Sequence, residues 1–152
     1  MTANELMQRF SMKAHPENGS FIEKHYANDY AYRAASGSIY YYVAAGERTE
    51  FHRIDCDEYW CYAAGSPLEL WMIDECGAVS INRLGTEVGC KPMVYIRRGM
   101  IFASRNLRKD GDGTFLTCIT VPRFSYEGFT LFSQEELLTH YTCCREKRLS
   151  AG

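Results

Sequence analysis

Between Ser38 and Phe132 turn-forming Gly, Pro, Asn and Asp recur at short intervals, and the runs between them are rich in β-branched and aromatic residues. That punctuation leaves no room for a long helix and restricts this part of the chain to short strands closed into a sandwich or barrel. SIYYYVA, at Ser38–Ala44, lies between Gly37 and Gly46 and reads as a strand. Further strands are expected at Thr49–Ile54, Glu58–Ala63, Leu68–Ile73, Ala78–Leu84, Met93–Ile96, Ile101–Ser104, Phe115–Val121 and Thr130–Phe132. An earlier one is expected to begin at FIEKHYA, after the break at Pro16 and Gly19. Helices are expected only at the ends. Leu6, Met7 and Phe10 form one apolar face near the start, and Ser133 with Glu136 makes a capping box for EELLTHY.

No internal repeat or linker divides the 152 residues, a length that suits one domain. The expected layout is an N-terminal helix over 1–12, a barrel over 20–132, a C-terminal helix over 133–142 and a frayed tail over 143–152. A net charge of -2 gives no electrostatic reason to expect nucleic acid or an anionic membrane as a partner. No apolar run approaches the ~20 residues of a membrane span, no signal peptide is apparent, and a cytoplasmic location is the default expectation. The seven cysteines are irregularly spaced and read as free thiols, most of them small buried residues. Cys143 and Cys144 precede the basic tail.

The stretch GERTEFHRIDCDEYWCYAAG, Gly46–Gly65, carries the densest chemistry. It reads as strand, tight acidic turn and strand. If His52 points into a barrel, period-two alternation sends Glu50 and Ile54 inward with it, and Phe51 and Arg53 outward. On the partner strand Glu58, Trp60 and Tyr62 then share a face, and Cys61 takes the other. Ligands of small barrels enter at the open mouth.

Gly46, His52, Glu58 and Gly65 resemble the first signature of the cupin superfamily, GxxxxxHxHxxxExxxxxxG, with Ile54 at the second histidine. The second signature, GxxxxxPxGxxHxxxN, is matched by Gly99 and Asn106, with Arg97 at the proline and Phe102 at the histidine. A fuller resemblance is to a small cupin family of unknown function with motifs HPEGGYF, AIYFLL, FHR, DExWH and GxPLEL. Here they correspond to His15–Phe21, Ser38–Val43, Phe51–Arg53, Asp57–Cys61 and Gly65–Leu70. TCITVPRFSYEGFTL and EELLTHY resemble its closing strands and final helix. Asn18 departs from its first glycine and Cys61 from the histidine of its DExWH motif. The resemblance implies an all-β double-stranded β-helix, a jelly-roll barrel with short terminal helices, usually as a homodimer. It implies no established reaction.

With two of four superfamily ligand positions left, no metal and no other cofactor is expected. The leading functional expectation is an acid–base enzyme acting on a small polar metabolite, such as a keto-sugar or sugar nucleotide, by epimerisation or isomerisation. His52 is the expected base, Glu58 its orienter and Tyr62 the acid, with Tyr40 and Tyr95 as alternatives. Arg97 or Arg105 is expected to hold an anionic group. The second reading is a non-catalytic pocket in which Tyr40, Tyr41, Tyr42, Trp60 and Phe102 stack on a ligand and His52 hydrogen-bonds to it, and the third a metal-dependent oxygenase or isomerase. The resemblance implies that the HPENG loop and Glu17 form part of the pocket rim. His15, next to a turn, is expected to end the helix or cover the pocket, and His25 and His140 to lie at the surface. Outward Phe51 and Tyr59 would cover an interface between two copies.

Overall fold

The computed structural model describes residues 1–27 and 33–140. The expectations for Cys143, Cys144 and the tail fall outside them, as do those for the side chains of His25 and His140. The chain runs α1 (Ala3–Arg9), β1 (Lys13–Ala14), β2 (Ser20–Ala27), β3 (Ser36–Val43), β4 (His52–Arg53), β5 (Asp57–Gly65) and β6 (Leu68–Ile73). It continues through β7 (Val79–Leu84), β8 (Met93–Ile96), β9 (Ile101–Asn106), β10 (Thr114–Val121), β11 (Thr130–Leu131) and α2 (Gln134–His140).

Two antiparallel sheets result, one in the order β1-β2-β3-β10-β5-β8 and the other β11-β4-β9-β6-β7. Their inner faces enclose Tyr41, Val43, Ile54, Trp60, Leu68, Leu70, Met72, Phe102 and Leu116. This is the jelly roll expected of the turn spacing. Both outer faces carry a helix. Leu6, Met7 and Phe10 of α1 pack on Tyr42, Phe115 and Tyr40, and Leu137 of α2 on Ile73 and Ile101 beside Phe51 and Phe132. Covered on both sides, β6 is buried at five of its six positions, which is why LELWMI reads as a nearly continuous apolar run.

Several expectations change. β4 is only two residues long: the chain before it still meets β9 through the Arg48–Arg105 bridge and the Thr49 N to Ser104 carbonyl bond, but Glu50 N turns away to the Glu17 carbonyl. Glu50, expected inward, is exposed. Phe51, expected at an interface, lies under α2. Among the described cysteines, all free thiols, Cys56 and Cys118 are buried and Cys76 is exposed.

One end of the barrel is sealed. Asn106 donates to the Thr114 hydroxyl, which donates to the Ser66 carbonyl. Asp112 accepts from the backbone of Ala3 and Asn4, satisfying amides that the first turn of α1 leaves open. Gly65 sits in this seam at φ +95°, where a Cβ would overlap the Gly113 carbonyl oxygen and approach the Ala3 Cβ to 2.7 Å. Gly89 has a similar φ of +84° with nothing near it. Gly65→Ala should therefore lower stability by at least about 2 kcal/mol, and Gly89→Ala by about 1 kcal/mol, the backbone cost alone. Urea unfolding midpoints check the pair; equal losses would mean that the seam yields to the extra methyl.

Candidate functional site

The opposite end of the barrel is open. A cavity of about 140 Å³ lies there. It is lined by the starts of β3 and β5 (Ile39, Glu58 and Trp60), the end of β10 (Cys118 and Thr120) and His52 of β4. His15 and Glu17 enter from the β1–β2 turn, and Arg123, Phe124 and Tyr126 from the segment after β10.

The turn that delivers Glu17 is held from several sides. Asn18 and Gly19 both adopt left-handed backbone, at φ 74° and 77°. Asparagine is among the few side chains that tolerate this conformation, so it can stand where the similar family has a glycine. The Glu47 carboxylate accepts from Gly19 N at 3.0 Å and Glu50 N donates to the Glu17 carbonyl at 2.8 Å. The Tyr41 hydroxyl donates to the Asn18 carbonyl at 2.8 Å, and Asn18 Nδ2 to the Arg48 carbonyl at 3.2 Å. Together these bonds fix the Glu17 backbone over the cavity.

Glu17 Oε2 lies 2.7 Å from His52 Nε2, both side chains nearly sealed from solvent at 7% and 3% exposure. His52 Nδ1 faces the Glu50 carbonyl at 2.9 Å, so both ring nitrogens point at acceptors, the pattern of an imidazolium. Burial opposes its charge, but the Glu17 carboxylate outweighs burial and raises the His52 pKa above its usual value. For Glu17 burial likewise opposes ionisation, and His52 overcomes it and lowers the pKa. His15 is different: burial lowers its pKa despite Glu17. Its Nδ1 accepts from Glu17 N at 3.3 Å, which places the proton of the neutral ring on Nε2.

Glu58 is the second carboxyl of the cavity, 7% exposed. It lies beside the Trp60 indole and the Cys118 thiol. Trp60 Nε1 is buried without a partner, so its nearness to Glu58 falls short of a hydrogen bond. Burial, reinforced by the negative charge of Glu17, pushes the Glu58 carboxyl up to about 8. Burial and the two nearby carboxyls push the Cys118 thiol well up, so it is no thiolate at neutral pH. One cavity thus holds an ionised and a neutral carboxyl, the divergence that separates acid from base roles.

Of the residues singled out in the sequence, His52, Glu58, Trp60 and Glu17 line this cavity together. Glu17, not Glu58, is the partner of His52. Phe102, expected to stack on a ligand, is fully buried in the core and does not line the cavity; its ring packs 4.1 Å from that of His52. The others lie elsewhere. Tyr40 packs outside the sheet on Phe10, and Tyr62 donates to the Gly65 carbonyl near the sealed end. Tyr95 stacks on Tyr59 on the outer face and reaches Asp57. Arg97 pairs with Glu75 in the open, and Arg105 borders a small cleft with Arg48, Phe51 and Trp71. Of the three successive tyrosines expected to stack on a ligand, Tyr41 is the one that lines the cavity; sequence reasoning missed Cys118 and undervalued His15.

A metal bound in the superfamily pattern would need ligands at positions 52, 54, 58 and 102. Ile54 and Phe102 are apolar and buried there, and both His52 nitrogens are engaged. Among the described residues no three His, Cys, Asp or Glu side chains are disposed to hold a metal ion. The residues do not fit such a metal.

The pH dependence of folding follows from Glu58. Its carboxyl titrates near 4.5 when unfolded and near 8 when folded, so between those values unfolding releases a proton and stability falls as pH rises. His52, raised by folding, stabilises while protonated and adds to the fall above its ordinary pKa. Stability should drop by on the order of 3 kcal/mol from pH 5 to pH 8. Glu58→Gln should flatten much of the drop and be the more stable protein at pH 8. Urea titrations across this range check it; parallel profiles for the two proteins would refute it.

The Cupin_5 family, described as "Cupin superfamily (DUF985)", matches residues 4–132. Among solved structures, a structural-genomics target from Shewanella oneidensis is 28% identical with a TM-score of 0.86, over 96% of this chain and 94% of that one. A hypothetical protein from Leishmania major is 26% identical with a TM-score of 0.83, over 94% of both chains. Oxalate decarboxylase from Bacillus subtilis shares the fold alone, at 15% identity and a TM-score of 0.61, over 88% of this chain and 33% of that one. No curated protein matches the chain. Among the described residues no helix is long and apolar enough to cross a membrane. The chain belongs to the Cupin_5 family of the cupin superfamily.

Proposed function

We propose that this cupin is a metal-independent acid–base enzyme that isomerises or epimerises a small polar carbonyl compound, with Glu58 as the group that moves the proton. The observation that carries the reading is a buried carboxyl, held near pKa 8 and facing a cavity. A proton carrier works best when its pKa lies near the working pH. At pH 7 about one molecule in ten has Glu58 ionised, and a carboxylate so destabilised is a stronger base than an exposed one. It takes the proton from the carbon beside the carbonyl, the C–H electron pair moves into an enolate, and the proton returns to carbon.

His52, first expected as the base, has no ring nitrogen left for a substrate. In the proposal the Glu17–His52 pair is a fixed dipole, and the Glu17 charge keeps the Glu58 pKa high. Tyr62 plays no part, being at the far end of the barrel. A cavity of about 140 Å³ is similar to the ~150 Å³ that holds a benzene ring. A sugar-sized molecule suits it, and the nucleotide of a sugar nucleotide would have to lie outside. The proposal includes a cytoplasmic homodimer, whose subunit number native mass spectrometry reads directly.

A non-catalytic binding pocket is the second reading, favoured by the aromatic lining of Phe21, Tyr41, Trp60, Phe124 and Tyr126. Incubating chelator-treated protein with aldoses and ketoses in deuterium oxide separates the two. The enzyme reading expects loss of the proton signal beside the carbonyl, and binding alone expects none. Glu58→Gln should slow that exchange about a hundredfold or more. In the wild type the rate should climb with pH and level off above about 8, as Glu58 ionises. A rate that is flat from pH 6 to pH 9 would assign the proton to another group.

A further inference from the structure

We infer that the cavity takes an uncharged, oxygen-rich small molecule and rejects phosphorylated or carboxylated analogues of it. This deepens the proposed function and rests on the same cavity, but it concerns recognition and not the chemical step. The basis is how the charges in the cavity are disposed. Glu17 faces His52 at 2.7 Å deep inside, and at the mouth Arg123 faces Glu23 at 2.7 Å. His15, Glu58, Tyr41 and Cys118 of the inner wall are each driven by burial toward the neutral form. Every full charge lining the cavity is therefore opposed by its counter-charge inside the same wall.

An anionic ligand entering here would lose its water and meet no uncommitted cation. Deep inside, it could gain one only by breaking the buried Glu17–His52 pair and leaving Glu17 unmatched, which is costlier than leaving the ligand in water. At the mouth it would have to compete with Glu23 for the part-exposed Arg123. The cations first expected to receive an anion do not line the cavity. Arg97 pairs with Glu75 outside it, and Arg105 borders a separate cleft.

An uncharged molecule meets a better-suited wall. The neutral Glu58 carboxyl has both a donor and an acceptor to offer, and the neutral His15 ring carries its proton on Nε2. Thr120 Oγ1 already accepts from Phe124 N at 3.0 Å, which leaves its own proton to donate. Three neutral donors with aromatic rings between them fit the hydroxyls and apolar faces of an unphosphorylated sugar or similar polyol. The volume of about 140 Å³ admits such a ring but leaves little space for an added phosphate.

The test is saturation-transfer NMR on the whole untagged chain. The probes are neutral tetroses, pentoses and hexoses, set against hexose 6-phosphates and uronates. Neutral probes should bind at least tenfold more tightly than their anionic counterparts. Equal or tighter binding of the anionic set would overturn the inference, as would no binding by the neutral set. A second measurement tests the cause. Glu17→Gln leaves the His52 imidazolium unmatched and should cut the discrimination against anions at least tenfold. If that variant fails to fold, His52→Gln, which leaves Glu17 unmatched, should widen the discrimination instead. Unchanged discrimination in the folded variant would refute the charge-balance argument. Binding of neutral sugars without deuterium exchange would sink the proposed enzyme and leave this inference standing; exchange with anionic sugars alone would do the reverse.

Discussion

The contact between Glu17 and His52 organises the open end of the barrel. A buried charge pair contributes little net stability, because desolvation offsets most of the attraction. Its effect here is positional and electrostatic. It joins the β1–β2 turn to the short β4, and the surrounding bonds from Glu47, Glu50 and Tyr41 leave the Glu17 backbone little freedom. Once Glu17 is held ionised, the second carboxyl in the same low-dielectric space cannot ionise cheaply. The unusual state of Glu58 is thus a consequence of the way residues 15–19 are folded over the cavity.

That dependence shows which parts of the site were legible in the sequence. Strand positions were, because turn residues mark their ends: Leu68–Ile73 and Met93–Ile96 stand as the punctuation places them. Parity correctly turned His52, Ile54, Glu58 and Trp60 to the inside, since one face of each strand is buried. Parity says nothing of depth along the barrel. Tyr62 shares a face with Glu58 and Trp60 yet lies toward the sealed end, where its hydroxyl meets Gly65. Nor does parity say which of three successive tyrosines faces in. Tyr41 is inside and Tyr40 outside because α1 covers the face that carries Tyr40 and Tyr42.

The partner of His52 was the least legible element. The hairpin suggested Glu58, close in sequence and across a tight turn. The actual partner lies far upstream on an irregular turn, and no periodicity connects two such segments. The HPENG motif was the available signal, a proline followed by two residues suited to left-handed backbone. Such a turn, rigid and aimed inward, often carries functional side chains. The two-residue β1 that starts it has no sequence signal of its own.

The lost superfamily ligand positions acquire a physical meaning beside this pair. In the superfamily signature the second and last histidines would share one ion with the residues at positions 52 and 58. Here Ile54 makes that part of the wall apolar, and the Phe102 ring packs on His52 where a ligand side chain would stand. Apolar walls lower the local polarity, which strengthens the Glu17–His52 attraction and raises the cost of ionising Glu58. The same two substitutions that remove a metal site therefore help create a buried neutral carboxyl. A polar residue restored at position 54 or 102 would act on the protonation of Glu58 without touching it, because what holds that proton is the dryness of the wall as much as the charge of its neighbour.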